Sequence, residues 1–432
     1  MTKIYAVILL WTLLLFRVAV GLSLPSDHMT TATAKPATVA KDEDEDEKDD
    51  DDPLIFYVTS EQRQALMDSK PEDFVSRFDD FIKKIKDTFE TEGVVVIRGL
   101  LDDDLLERLN EDSQTILDSI ASKSNTTKKS GFSSLKFGPV FSNYTSFRET
   151  ALTSTIPRFV AIVLLGMNSK NDGPSLHVLK DVFLAKGREK KCCGWHVDDV
   201  GFWPISARSM PGVNAWIAID DIPSNHGGGL GVSPGSHRAS WRHDAYEIIG
   251  STQLYPEEGM IPGTPFCVKM TKSEIPGAFG RTCDMEYHSP VLASTIDRTR
   301  KVFDFKRGDI LFHTRWIFHR SMPLTSDGEE YFLRLGRVDP TIRRYSIRYE
   351  YGDSQLLRGI NSEFSVMLNP KNLGEKLDQV NRSDGPFYPK CWPEVEDFVE
   401  MDKLVIEKFP LAEVKSKEYF QKLIMQANIP VK

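Results

Sequence analysis

Two short segments far apart in the chain constrain its fold more than anything else: Trp195-His196-Val197-Asp198, and the stretch from Gly308 through His313 and His319 to Ser321. Along extended backbone, residues two apart point to the same side, so His196 and Asp198 can converge on one point. A third partner must then arrive from a distant strand. Gly308-Asp309 is a turn signal set before the apolar run Ile310 to Phe312, an arrangement that delivers His319 at the end of a strand and turn. Two imidazoles and one carboxylate so placed can occupy one face of an octahedral iron(II) and leave three positions open for a co-substrate and oxygen. The chain therefore reads first as an oxidising enzyme, with His196, Asp198 and His319 as metal ligands and catalytic centre.

A basic strand follows, Thr341-Ile342-Arg343-Arg344-Tyr345-Ser346-Ile347-Arg348-Tyr349, in which Arg344, Ser346 and Arg348 share a face. An arginine with a hydroxyl two residues on suits the far end of a dicarboxylate, because the guanidinium fork pairs with a carboxylate through two hydrogen bonds. The near end of a 2-oxo acid can chelate the metal. Arg344 and Ser346 are the preferred pair; Arg343 and Arg337 remain alternatives, and a basic strand also suits a solvated edge.

Other groups compete for roles. His313 lies six residues before His319 and rivals it for the third position. His226 and His237 sit in turn-like contexts. The cluster Gly227-Gly228-Gly229 lacks both the dinucleotide spacing and the Gly-Lys-Ser/Thr ending of phosphate loops, and reads instead as a hairpin running close to the site. Cys193 falls on the face opposite His196.

At this point the chain resembles the phytanoyl-CoA dioxygenase family of iron(II)- and 2-oxoglutarate-dependent oxygenases. The likeness begins at Phe89 to Leu101, passes through His196-Val197-Asp198, Asn214-Ala215-Trp216 and Gly228 to His237, and ends with Gly308 to His319 and Ser346 to Tyr349. It implies iron at His196, Asp198 and His319, and 2-oxoglutarate beside Trp216, with Asn214 of the same motif and the Arg344-Ser346 pair. It also implies a double-stranded β-helix, a jelly roll of the cupin-like kind. Two departures stand out. The stretch 242–306 is longer than the family's usual connection, which suggests an inserted loop region over the mouth where substrate is chosen. The family often places its arginine four residues before the strand's Ser or Thr, and here that position is Ile342. Related halogenating enzymes carry a small residue where this chain has Asp198, so the carboxylate points to hydroxylation.

The pattern along the chain agrees with that fold class. Helical periodicity runs over Glu61 to Phe89 and Asp103 to Ser122, and short apolar or alternating runs dominate from Phe159 onward: Phe159 to Leu165, His177 to Ala185, Val213 to Ile219, Val302 to Phe305, Ile310 to Phe312 and Tyr345 to Tyr349. Many short strands with Gly and Pro punctuation predict a mainly β core with flanking helices, and Val395 to Ala427 reads as helices packed outside. An apolar content of 40% over 432 residues suffices for a large core.

The net charge of -9 gives no case for nucleic acid, and much of it is local: Asp42 to Asp52 holds ten acidic residues and one lysine. The expected organisation is a signal peptide at 1–21, an acidic linker at 22–53 and an oxygenase domain at 54–432. Lys3 followed by the apolar run Ile4 to Phe16 and small residues at Ala19 and Gly21 resembles a secretory leader, which predicts the secretory pathway, lumenal or secreted; an uncleaved signal anchor is the alternative and would be the chain's one membrane contact. Sequons at Asn125, Asn143 and Asn381 would be usable there. Cys267 and Cys283 can pair in such a compartment. Three functions follow: hydroxylation of a small or lipid-like molecule with release of succinate and carbon dioxide, the same chemistry on a lumenal protein side chain, or a cupin-fold binding protein that has lost catalysis.

Overall fold

The computed structural model describes residues 52–123, 135–137, 140, 144–167, 173–187, 194–198, 212–242, 285–335, 341–354, 376–379 and 388–395. Strand β1 (Ile55–Tyr57) leads into α1 (Ser60–Asp68), α2 (Pro71–Arg77) and α3 (Asp79–Glu92), so the helical stretch expected over Glu61 to Phe89 is present as three pieces. Thr59 and Gln62 cap α1 reciprocally, the Gln62 N–H donating to Thr59 Oγ1 at 3.1 Å and the Thr59 N–H to Gln62 Oε1 at 2.9 Å. Pro71 divides α1 from α2, because proline is tolerated in a first turn and not within a helix. Gly93, at φ 73°, closes α3 in the left-handed conformation. The run Val94-Val95-Val96-Ile97 then forms β2 (Val94–Arg98), as β-branched residues favour.

Next come α4 (Asp103–Lys123), β3 (Leu135–Phe137), α5 (Thr145–Leu152) and α6 (Thr155–Phe159). Here the expected strand Phe159 to Leu165 is corrected: α6 runs on into a turn of π-helix at Val160–Leu164. A short apolar run has no periodicity that separates buried strand from buried helix. The Ser154 hydroxyl, accepting from the Ile156 N–H at 3.2 Å, starts the helix before that run begins.

The remaining elements are β4 (Leu176–Lys186), β5 (Val213–Ala218), β6 (Leu230–Val232), α7 (Met285–His288), α8 (Pro290–Asp297), β7 (Lys301–Val302), β8 (Ile310–Thr314), β9 (His319–Ser321), α9 (Ser326–Arg334), β10 (Ile342–Tyr351) and β11 (Lys390–Trp392). An eight-stranded sheet runs in the order β1-β2-β8-β5-β10-β4-β11, with β3 also paired to β4, and faces a smaller sheet β7-β6-β9. Strand alternation divides the large sheet into two faces. Val95, Ile97, Phe312, Ala215, Ile217, Tyr345 and Ile347 pack outward with Ile85, Phe89, Leu105 and Ile162 of the helices. Val94, Val96, Leu311, Trp216, Ala218 and Ile342 point inward with Leu230 and Val232 of the small sheet and with Phe305. Each Val, Leu, Ile or Phe among them, fully buried, contributes roughly 1.5–3 kcal/mol, so both faces of the large sheet are held. The result is a mainly β double-stranded β-helix with helices covering one side.

All of this lies within one compact unit, Asp49–Lys432. Of the inserted stretch, 285–302 forms α7, α8 and β7. Residues 243–284 of that insert, the leader, nearly all of the acidic linker, the three sequon asparagines, Arg337, the proposed cysteine pair and the C-terminal helices fall outside the described residues. Among the described residues no helix is long and apolar enough to cross a membrane.

Candidate metal centre

His196 and Asp198 share one side of the short segment Gly194–Asp198 because Trp195 and Val197 take the other. Those two pack with Met285, Ala293 and Ile296 of α7 and α8 and with Phe318. His319 opens β9, and its backbone pairs with that of His196. The ligand atoms that His196, Asp198 and His319 offer all lie within 4.8 Å of one another, and all three residues are buried. The His196 Nδ1–H donates to the Gly194 carbonyl at 2.8 Å and the His319 Nδ1–H to the Ile317 carbonyl at 3.1 Å. With Nδ1 occupied on each ring, Nε2 is the nitrogen left to face the cluster.

The charge states suit a cation. Burial, reinforced by neighbouring His319, holds the His196 imidazole down to about 3, so it is neutral and able to donate to a metal. Burial alone would raise the Asp198 carboxyl, but Arg348 and His319 bring it well below the usual carboxylate range. Two imidazole nitrogens and one carboxylate, buried and preassembled, fit a divalent first-row metal with open positions.

His313, the rival third ligand, is brought close without joining the set. Its ring lies 4.6 Å from that of His319, its Nδ1–H donates to the Thr314 carbonyl at 2.8 Å, and it faces Asn214 across β5 and β8. Asn214 itself gives its amide Nδ2–H to Asp198 Oδ2 at 2.5 Å.

Farther along the inner face, the Arg344 guanidinium lies 5.7 Å from the Trp216 ring centroid, and its Nη2 donates to Ser321 Oγ at 3.3 Å. Ser346 stands opposite Trp216 in the β5–β10 register. Arg343, on the other face, is committed elsewhere: its Nη2 pairs with Asp220 Oδ1 at 2.7 Å and its Nη1 donates to Ser113 Oγ at 2.9 Å. Of the two described arginines in question, Arg344 is the one on the inner face, with Trp216 and Ser321.

The sequence profile of the phytanoyl-CoA dioxygenase (PhyH) family matches residues 89–330, more than half of the chain. The chain belongs to the phytanoyl-CoA dioxygenase family. It is therefore a 2-oxoglutarate-dependent oxygenase with iron as its metal. Among solved structures it is similar to the non-heme alpha-ketoglutarate-dependent carbocyclase SnoK of nogalamycin biosynthesis (17% identity, 65% of this chain and 88% of that one, TM-score 0.42). It is also similar to EctD from S. alaskensis with 2-oxoglutarate and 5-hydroxyectoine (14%, 73% and 85%, 0.41), and to the non-heme monooxygenase ThoJ as its nickel complex (15%, 79% and 99%, 0.42). No curated protein matches the chain.

Where this member of the phytanoyl-CoA dioxygenase family departs from the family's arginine spacing, the fold supplies the reason. Ile342, four residues before Ser346, belongs to the apolar cluster between the sheets and lies against Gly228, whose missing Cβ would sit 1.8 Å from Ile342 Cδ1. A guanidinium has no room there, and Arg344, two residues later, is the next residue on the same face of β10. The glycine cluster lies against Pro323, Ile342 and Phe305, and β6, which follows it, places Val232 opposite His319. Sequence reasoning missed roles for Arg348 and Ser321. Both sit two residues beyond an assigned group, Ser346 and His319, so strand alternation was the available signal.

Proposed function

We propose that this enzyme hydroxylates an unactivated carbon of a small or lipid-like substrate, converting 2-oxoglutarate to succinate and carbon dioxide. The observation that carries the reading is the assembly of His196, Asp198 and His319 into one buried cluster, with a carboxylate at Asp198 and not a small residue that would leave room for a halide. His196 Nε2, His319 Nε2 and one Asp198 oxygen would hold the iron, which supplies oxygen-activating redox chemistry when bound. The protein's part is positional. Arg344 would pair its planar fork with the far carboxylate of 2-oxoglutarate, beside the Ser321 hydroxyl and against the Trp216 ring. Ser346, in register with Trp216, would lie at the same carboxylate. The apolar cluster between the sheets borders this end of the site and limits water there.

The test is anaerobic addition of iron(II) and 2-oxoglutarate to the purified protein. A weak visible charge-transfer band is expected, absent in His196→Ala and His319→Ala and weakened in Arg344→Ala, followed by succinate release under oxygen. An iron-loaded, folded protein with no band moves the reading to a cupin-fold binding protein. The leader-like residues 1–21 support a secretory location, for which protection of the protein from added protease in intact microsomes is the check.

A further inference from the structure

We propose that Arg348 and Asn214 form a clamp, built into the large sheet, that decides which oxygen of Asp198 faces the metal. The inference rests on reading His196, Asp198 and His319 as the metal ligands. Strands β5 and β10 are antiparallel neighbours, and Arg348 stands directly opposite Asn214 in their register. Both side chains therefore rise from the inner face at the same level. Asn214 Nδ2 donates to Asp198 Oδ2 at 2.5 Å, and Arg348 Nη2 donates to the same oxygen at 3.0 Å. The other oxygen, Oδ1, lies 3.6 Å from His319 Nε2. One carboxylate oxygen is thus held by the sheet, and the other is turned toward the imidazoles.

The consequence is one-point attachment. A carboxylate free to rotate can take a metal with both oxygens, which uses two of six positions; with Oδ2 held by two donors, only Oδ1 is presented. Two imidazoles and one oxygen leave three positions for co-substrate and oxygen, whereas a two-point carboxylate leaves two. Burial makes the restraint effective, since Asp198, Asn214 and Arg348 are 2%, 3% and 5% exposed and water has little access to compete for the donors. Position in the fold matters as well. Asp198 sits on a short segment that, among the described residues, is bound to the small sheet through an isolated backbone bridge at His196, while both donors come from neighbouring interior strands of the eight-stranded sheet. The sheet thereby imposes its geometry on a ligand that local backbone pairing holds less firmly. Arg348 and Asn214 are positioning residues: they act through Asp198.

The test loads the full chain with manganese(II) in place of iron and counts metal-bound water by water-proton relaxation and by line broadening in 17O-water, alongside manganese affinity. Wild type is expected to hold three waters. Arg348→Met and Asn214→Ala are expected to lose one, a fall of about a third, with affinity down by about 10–100-fold, the usual cost of losing a ligand's outer partner. Arg348→Lys, which keeps a charged donor, is expected to restore part of the water count. If Arg348→Met does not fold, Asn214→Ala carries the same comparison alone. Folded variants with wild-type water count overturn the clamp, whether or not their affinity falls. Failure of wild type to bind manganese(II), cobalt(II) and iron(II) alike overturns the metal centre and the clamp with it.

Discussion

The backbones of His196 and His319 donate to each other, His196 N–H to the His319 carbonyl at 3.0 Å and His319 N–H to the His196 carbonyl at 2.9 Å. Main-chain pairing, and not the imidazoles, therefore brings two distant segments together, and it sets the rings 4.2 Å apart between centroids. Removing an imidazole should leave this pairing intact.

His319→Ala is accordingly expected to lower iron(II) affinity by more than the ~100-fold upper range for an outer-shell partner. The melting temperature of the metal-free protein should move little, because the two backbone hydrogen bonds survive. Metal-competition titration and thermal melts of apo protein check the two halves separately. A large drop in apo stability would show that the ring itself holds the segments.

Arg344 and Arg343 are adjacent in sequence and opposite in consequence. Arg344→Lys is expected to weaken 2-oxoglutarate binding about tenfold and Arg344→Ala about a hundredfold, since hydrogen bonds to a charged partner contribute about 1.5–3 kcal/mol and lysine keeps charge without the fork. Arg343→Ala should leave co-substrate affinity unchanged and destabilise the fold by about 3–5 kcal/mol, the cost of leaving Asp220 buried without its partner. Calorimetric 2-oxoglutarate titration and urea unfolding of both variants separate the outcomes.

Gly228 occupies φ +83°, and a Cβ there would meet Ile342 Cδ1 at 1.8 Å. Gly228→Ala is expected to cost about 2–4 kcal/mol from backbone strain and overpacking together. Ile342→Val removes the clashing methyl, so the double variant should recover the overpacking part and retain the strain. A double-mutant cycle by urea unfolding should give a coupling of at least ~0.5 kcal/mol.

Asp309, at the turn before β8, is pushed up to about 6 by burial, although the Lys306 N–H and Arg98 both pull it down. Its unfolded value is near 4, so the native state holds the proton more tightly over that interval. The contribution is full below about pH 4 and is lost as pH rises through about 6, on the order of 3 kcal/mol. Unfolding free energies of wild type relative to Asp309→Asn should fall by that amount between pH 4 and 7. A flat difference would mean that the Arg98 pair, at 3.2 Å, cancels the effect of burial, and a difference that rises with pH that it outweighs it.

Local rules carried much of this protein in its sequence. Two-residue alternation put His196 and Asp198 on one side of their segment and Arg344, Ser346 and Arg348 on one face of β10, because such geometry depends only on neighbours within a few positions. Alternation could not choose among arginines or say what they touch. That Arg343 turns to Asp220, that Ile342 fills the space against Gly228, and that Arg348 meets Asp198 all depend on the register between β10, β5 and β4, set by packing on both faces of the sheet. Phe159 to Leu165 became helical for a related reason: a uniformly apolar run is compatible with two backbones, and the preceding cap with the surrounding helices settled which one. The chemistry of the ligands was written in the chain; that Asp198 Oδ2 meets Arg348 while Oδ1 turns to His319 was decided by contacts between residues more than a hundred positions apart.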